Sequence, residues 1–137
     1  MKVHSTNYTN TFIEVAEDCP SESGEIPPEG KQKSVANLQY EILVNHPYKY
    51  TSDDVIFTVF AIKKDLPEET WEEERIRFFA KGQPCFRASP LTKRYGWGIY
   101  SDQHGKIALY ARESPEYEEF INNASVAKVK AMRSKRK

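Results

Sequence analysis

The feature that most constrains this chain is a change of hydrophobic period at Gly82. Before it, apolar residues recur at helical spacing. After it, they alternate with period two. Helices grouped ahead of a run of strands predict an α+β domain rather than an alternating α/β one. The expectation is a single domain over residues 1–137, with four or five mostly antiparallel strands and helices on one face. No internal repeat interrupts that plan. A chain of 137 residues, 39% hydrophobic and 12% aromatic, is large enough to bury a core without metals or disulfides.

The helical part starts at Ser34, where Val35, Leu38, Ile42 and Leu43 share a face and Pro47 ends the run. In "TSDDVIFTVFAIKK" the β-branched content favours a strand. The ends favour a helix: Thr51 and Asp54 match a capping box, and Lys63 and Lys64 suit a helix C-terminus. The helix is the stronger reading. "DLPEETWEEERIRFFAKG" reads as another, with Asp65 as N-cap, Glu68 in the capping-box position and Gly82 as the stop. Ahead of them lie a strand over residues 11–17 and an acidic Pro/Gly/Ser-rich loop over residues 18–33, which reads as a surface loop that buries little.

After Gly82, "CFRAS" is a short strand candidate. "YGWGIYS" and "KIALYAR" flank the turn "DQHG" and predict an antiparallel hairpin. Ser114 and Pro115 open a last helix carrying Tyr117, Phe120 and Ile121. "SVAKVKAMRS" then alternates as a half-buried strand, and the basic end, residues 133–137, is expected to fray.

No apolar run approaches the ~18 residues of a membrane span, and "MKVHSTNYTNTF" lacks the apolar stretch of a signal peptide. The expected location is cytoplasmic, with no membrane. The two cysteines, Cys19 and Cys85, are then expected to be reduced thiols, and two alone do not make a structural zinc site. His4, His46 and His104 show no metal-ligand spacing, and no phosphate-cradling glycine loop is present, so neither metal nor cofactor is expected. Twenty basic and twenty acidic residues cancel, but they are segregated. Acids dominate residues 14–29, while bases dominate 81–112 and the last twelve positions. Such asymmetry suits an anionic partner, or acidic and basic segments that face each other.

The segments "NTFIEVAEDCP", "NLQYEILVNHPYKYTSDD" and "KGQPCFRASPLTKRYGWGIY", with the ending "KAMRSKRK", resemble a family of small bacterial proteins of unknown function. The resemblance spans nearly the whole chain. It implies a bacterial, soluble, single-domain protein and carries no activity. At fold level, "YGWGIYSDQHGKIALYARESPEYEEF" resembles in outline the glycine-rich hairpin and helix of TfoX-type and YjbR-type domains, one strand short of the TfoX pattern.

Three sets of residues are candidates for function. Cys85, with His104 and Asp102, has the residue types of a nucleophile, base and orienting acid, and Arg87 lies two positions from the thiol. The plain alternative is a small apolar residue in a strand. Gly96 and Gly98 would leave one strand face bare, open to a ligand or to a packed element of the same chain. Arg87, Lys93, Arg94 and Tyr100, beside Tyr95 and Trp97, combine phosphate-pairing and base-stacking side chains. The alternation instead directs Tyr95 and Trp97 to the core, with the cations at its rim. The leading expectation is a non-enzymatic binding module for an anionic ligand, nucleic acid or a phosphorylated small molecule. A small enzyme or redox-responsive protein using Cys85, and an interaction domain that forms a homodimer through a sheet edge, are the alternatives.

Overall fold

The structure is a computed structural model that describes residues 3–135. Four strands form an open sheet in the order β3-β2-β1-β4. They are β1 Thr11–Glu14, β2 Trp97–Ser101, β3 Ile107–Ala111 and β4 Ala127–Lys130. The β1/β2 and β2/β3 pairs are antiparallel, and β4 runs parallel to β1. The helices are α1 Val35–Asn45, α2 Ser52–Lys63, α3 Trp71–Phe78, α4 Pro90–Lys93 and α5 Pro115–Asn122. The domain is α+β, as the period change predicts.

Local chemistry sets the helix starts. Ser34 and Asn37 bond each other's backbone at the start of α1, and Thr51 and Asp54 do the same for α2. Ser89 and Ser114 cap α4 and α5, each followed by a first-turn proline. At α3 the expected start does not form. Asp65 has φ 53° and makes no cap, and Pro67 is extended. The residue before a proline is pushed out of the α region, so no helix runs through Leu66. A 3₁₀ turn at Glu68–Thr70 intervenes and α3 begins at Trp71.

The "CFRAS" segment is also not a strand. Phe86–Ala88 form a 3₁₀ turn, closed by Ala88 N–H on the Cys85 carbonyl at 2.9 Å. Pro84 and Pro90 bracket it, and fully buried Thr92 donates its hydroxyl to the Phe86 carbonyl at 2.6 Å. Phe86 is drawn into the core by this turn.

The pleat divides the core into two layers. Ile13, Ile99 and Ile107 face Leu43 of α1 and Val55 and Val59 of α2. Phe12, Gly98, Tyr100 and Tyr110 turn the other way, toward Tyr117 and Phe120 of α5. Helices therefore cover both faces rather than one, because the apolar stripe of α5 matches the aromatic face of the hairpin. Residues 18–33 also depart from the expectation of a solvated loop. They form a strap along the hairpin base and the start of α1. Pro27 is fully buried, Trp97 Nε1 donates to the Glu25 carbonyl at 2.8 Å, and Arg112 donates to the Ser21 carbonyl at 2.9 Å. Asn37 reaches back to the Pro27 carbonyl at 3.0 Å. Irregular backbone stays buried here because the Trp97, Arg112 and Asn37 side chains supply hydrogen bonds to it.

Candidate functional site

Of the residues singled out from the sequence, Asp102 and His104 lie in the β2–β3 turn, Lys93 and Arg94 at the end of α4, and Cys85 and Arg87 near Tyr8. Asp102 accepts the N–H groups of His104 and Lys106 at 2.8 and 2.9 Å, which closes the β2–β3 turn. His104 is exposed in that turn. Among the described residues no hydrogen bond joins Cys85 to His104 or Asp102. The thiol's partner is the Tyr8 hydroxyl, 3.7 Å away. Burial, then the Cys85 contact, raises the Tyr8 phenol above its ordinary value, while the nearby Arg87 guanidinium pulls the other way.

Arg87 Nε donates to the Lys130 carbonyl at 2.7 Å, and the Arg87 carbonyl takes Met132 N–H. Those bonds occupy part of the outer edge of β4. At the other edge Ile107 pairs with the backbones of Tyr48 and Tyr50. Both edges of the sheet are thus partly blunted against edge-to-edge pairing. Lys93 and Arg94 end α4 and form no ion pair among the described residues. Tyr100 lies on the α5 side, stacked on Phe120 with centroids 4.4 Å apart, and its hydroxyl donates to Asn10 at 2.7 Å. Its phenol is raised by burial, with Asp102 adding to the effect. Beside it, Tyr48 and Tyr110 share a hydroxyl contact of 2.6 Å, and burial followed by that contact drives the Tyr48 phenol far upward.

The two glycines are closed upon by the chain itself. A Cβ on Gly98 would lie 2.7 Å from the Tyr117 ring and closer still to Phe12. Gly96 has φ +78° and packs on the Ser23 carbonyl of the strap. The described part of the tail is likewise engaged. Arg133 pairs with Glu17 at 2.9 Å, and Asp18 accepts the N–H groups of Ser134 and Lys135, each at 2.9 Å. Acidic and basic segments face each other there. Residues 136 and 137 lie outside the described residues.

The convergent site is elsewhere. A cavity of about 320 Å³ opens between α1, α2, the end of α3 and residues 83–90. Ile56, Val59, Phe60 and Lys63 of α2 line it at i, i+3, i+4 and i+7, a single helix face. Val35 and Gln39 come from α1, Phe78 from α3, and Pro84, Cys85, Ala88 and Pro90 from the turn segment. Gln39 is 6% exposed, and its Oε1 accepts the Ser89 hydroxyl at 2.6 Å. Lys63 Nζ, at the exposed rim, donates to the Lys33 carbonyl at 3.0 Å. The lining is apolar with a few amides, one thiol and one cation, and contains no carboxylate.

A model of one protein family matches residues 3–137. The chain belongs to the family of unknown function DUF6157. No curated protein and no solved structure matches it. The TfoX-type and YjbR-type outline is not confirmed. Membership brings no reaction or ligand with it. Among the described residues no helix is long and apolar enough to cross a membrane, and no three His, Cys, Asp or Glu side chains are placed to hold a metal ion.

Of the cavity walls, only Cys85 is a functional candidate in the sequence. The others had a readable signal. Gln39 sits on the Val35–Leu43 stripe of α1, where a polar residue breaks an apolar face. The α2 stripe ends in Lys63 on the same face. What the sequence does not contain is the convergence of four segments far apart in the chain.

Proposed function

We propose that this DUF6157 protein is a non-enzymatic binding module whose ligand is a small, largely apolar molecule held in the cavity beside Cys85. One observation carries this: four separate segments converge on a formed apolar concavity of about 320 Å³. That volume lies at the small end of the range of ligand pockets, roughly 300–1,000 Å³. The phosphorylated-ligand and nucleic-acid versions of the binding idea have less support. Arg87 Nε is bonded to the Lys130 carbonyl, Tyr100 is stacked on Phe120 on the α5 side, and the tail base Arg133 is paired with Glu17.

The test is titration with an environment-sensitive apolar dye, followed by the Ala88→Leu variant, which extends a side chain into the cavity. Saturable binding lost in a folded Ala88→Leu protein supports the proposal. Binding that the variant leaves unchanged, or none at all, overturns it. A parallel titration with DNA and RNA at low salt checks the other version, whose affinity would fall steeply as salt rises.

A second reading rests on the Tyr8 hydroxyl at the Cys85 thiol, with the Arg87 guanidinium near that hydroxyl. In that reading the thiol is redox-responsive. Thiol-alkylation kinetics with and without a saturating cavity ligand distinguish the two.

A further inference from the structure

We infer that the cavity is selective for a small organic carboxylate, its apolar body against the α2 wall and its acid group met by the Gln39 amide and Lys63. This rests on the cavity being the binding site, as proposed above.

The Gln39 amide is the first ground. It is 6% exposed and set in an otherwise apolar stripe of α1. Ser89 fixes which way it points. As the cap of α4, Ser89 Oγ accepts Leu91 N–H at 3.1 Å, so its own proton is free to be donated. Gln39 Oε1 takes that proton. The amide nitrogen is left with two N–H donors and has no hydrogen-bond partner among the described residues, although Gln39 lines the cavity. No buried side-chain nitrogen or oxygen among the described residues lacks a hydrogen-bond partner, so this amide nitrogen is open to the cavity, where a ligand oxygen can take its protons in place of water.

The second ground is the balance of polar groups around the cavity. Lys63 carries a full positive charge, and its described contact is a neutral carbonyl rather than a carboxylate. Gln83 Nε2 donates one proton to the Phe78 carbonyl at 2.7 Å and keeps a second. The Cys85 thiol adds a weak donor. Donors and a single cation, with no Asp or Glu among the lining residues, match a ligand end that accepts hydrogen bonds and carries one negative charge. A phosphate dianion would need more cationic partners than one lysine. An ammonium would meet a like charge and no acceptor acid. The rest of the wall, from Val35, Ile56, Val59, Phe60 and Phe78, calls for an aliphatic or aromatic body.

The experiment compares octanoate, 1-octanol and octylamine by ligand-observed NMR and calorimetry on the full chain. The expected order is carboxylate tightest, by about tenfold over the alcohol, with the amine weakest. Gln39→Glu keeps an acceptor for Ser89 but removes the donor and adds a negative charge. It should lower octanoate affinity about tenfold or more and bring the amine level with it. Gln39→Leu should erase the preference for the acid over the alcohol. Lys63→Gln should weaken octanoate alone, by a factor that shrinks as salt rises. Thermal melts confirm that each variant is folded, and if one buried substitution unfolds the chain, the other and Lys63→Gln decide. Equal binding of acid and alcohol by the unaltered protein overturns the inference and leaves the cavity proposal standing. So does a preference that survives both Gln39 changes. Failure of all three compounds together with the apolar dye overturns the cavity proposal itself.

Discussion

Gly98→Ala is expected to destabilise the protein, although a glycine inside a strand is ordinarily a weak point. Replacing such a glycine gains about 0.5–1 kcal/mol by restricting the unfolded chain. Here the new methyl has nowhere to go. It would lie 2.7 Å from Tyr117 Cε2 and nearer still to Phe12 Cζ, against an ordinary carbon separation of about 3.5–4.0 Å. Neither ring can move aside. Phe12 is fully buried, edge-on to Tyr117 and stacked on Phe120, both with centroids 4.9 Å away. The Tyr117 hydroxyl accepts Val15 N–H at 2.9 Å. Contacts this far inside van der Waals separation put the overpacking cost in the upper part of its ~1–3 kcal/mol range, about 2–3 kcal/mol, so the net loss is about 1–2.5 kcal/mol. For a domain of this size that is a fall of about 3–8 °C in Tm. Urea and thermal unfolding by circular dichroism measure it. Phe12→Leu should make room, so the double variant should be more stable than the sum of the two single losses by about 1 kcal/mol. A Gly98→Ala protein as stable as the parent would refute the reasoning. It would mean that the bare face is not closed by the rings, and a ligand there would again be open.

Two further predictions concern the chain ends. Asp53, 7% exposed in the first turn of α2, accepts Thr6 N–H and Oγ1 at 2.7 Å and Ser5 Oγ at 2.8 Å. Asp53→Ala strands the buried Thr6 N–H, while the Thr6 hydroxyl keeps Ser52 Oγ at 2.8 Å, and should cost about 1–3 kcal/mol, with hydrogen exchange at Thr6 and Asn7 rising to match; unchanged exchange there would contradict it. The Asp18 carboxyl is held below its ordinary value, first by the Lys135 N–H and against some desolvation, with the Ser134 N–H and Arg133 adding to the lowering. A depressed carboxylate stabilises above its unfolded value of about 3.9 and loses that contribution as pH falls through the lower folded value. The Lys135 amide shift should therefore titrate with a midpoint below that of an ordinary aspartate, and an ordinary midpoint would rule out the clamp.

Much of the fold is legible where the signal is local. The hairpin follows from the alternation around "DQHG", and α2 follows from the Thr51–Asp54 pair despite its β-branched interior. Capping chemistry acts within one turn, so a short window of sequence contains it. The departures are where proline context or distant packing decides. Pro67 delays α3, and Pro84 and Pro90 turn "CFRAS" into a 3₁₀ turn that carries Phe86 inward. The strap reads as a solvated loop because it has no period, yet it is packed through single fits such as Gly24 on Trp97. Cys85 was visible as a candidate because thiols are rare in this chain. The cavity around it was not, since Gln39, Val59 and Phe78 meet only in three dimensions. Gly96 and Gly98 show the limit from the other side: their spacing marks a close approach but does not say whether the occupant is a ligand or the chain.

The place of β1 has a consequence for how this molecule is made. The strand nearest the N-terminus is an interior strand of the sheet, and its two neighbours begin at Trp97 and Ala127. As synthesis proceeds, Phe12 and Ile13 emerge early, with no ladder to join while all of the first three helices are being made. The helices can form locally; the sheet waits on contacts of high sequence separation, the slow kind. A nascent or truncated chain lacking β4 leaves an apolar strand unpaired along one side, an invitation to aggregation that the finished protein removes only with its last strand.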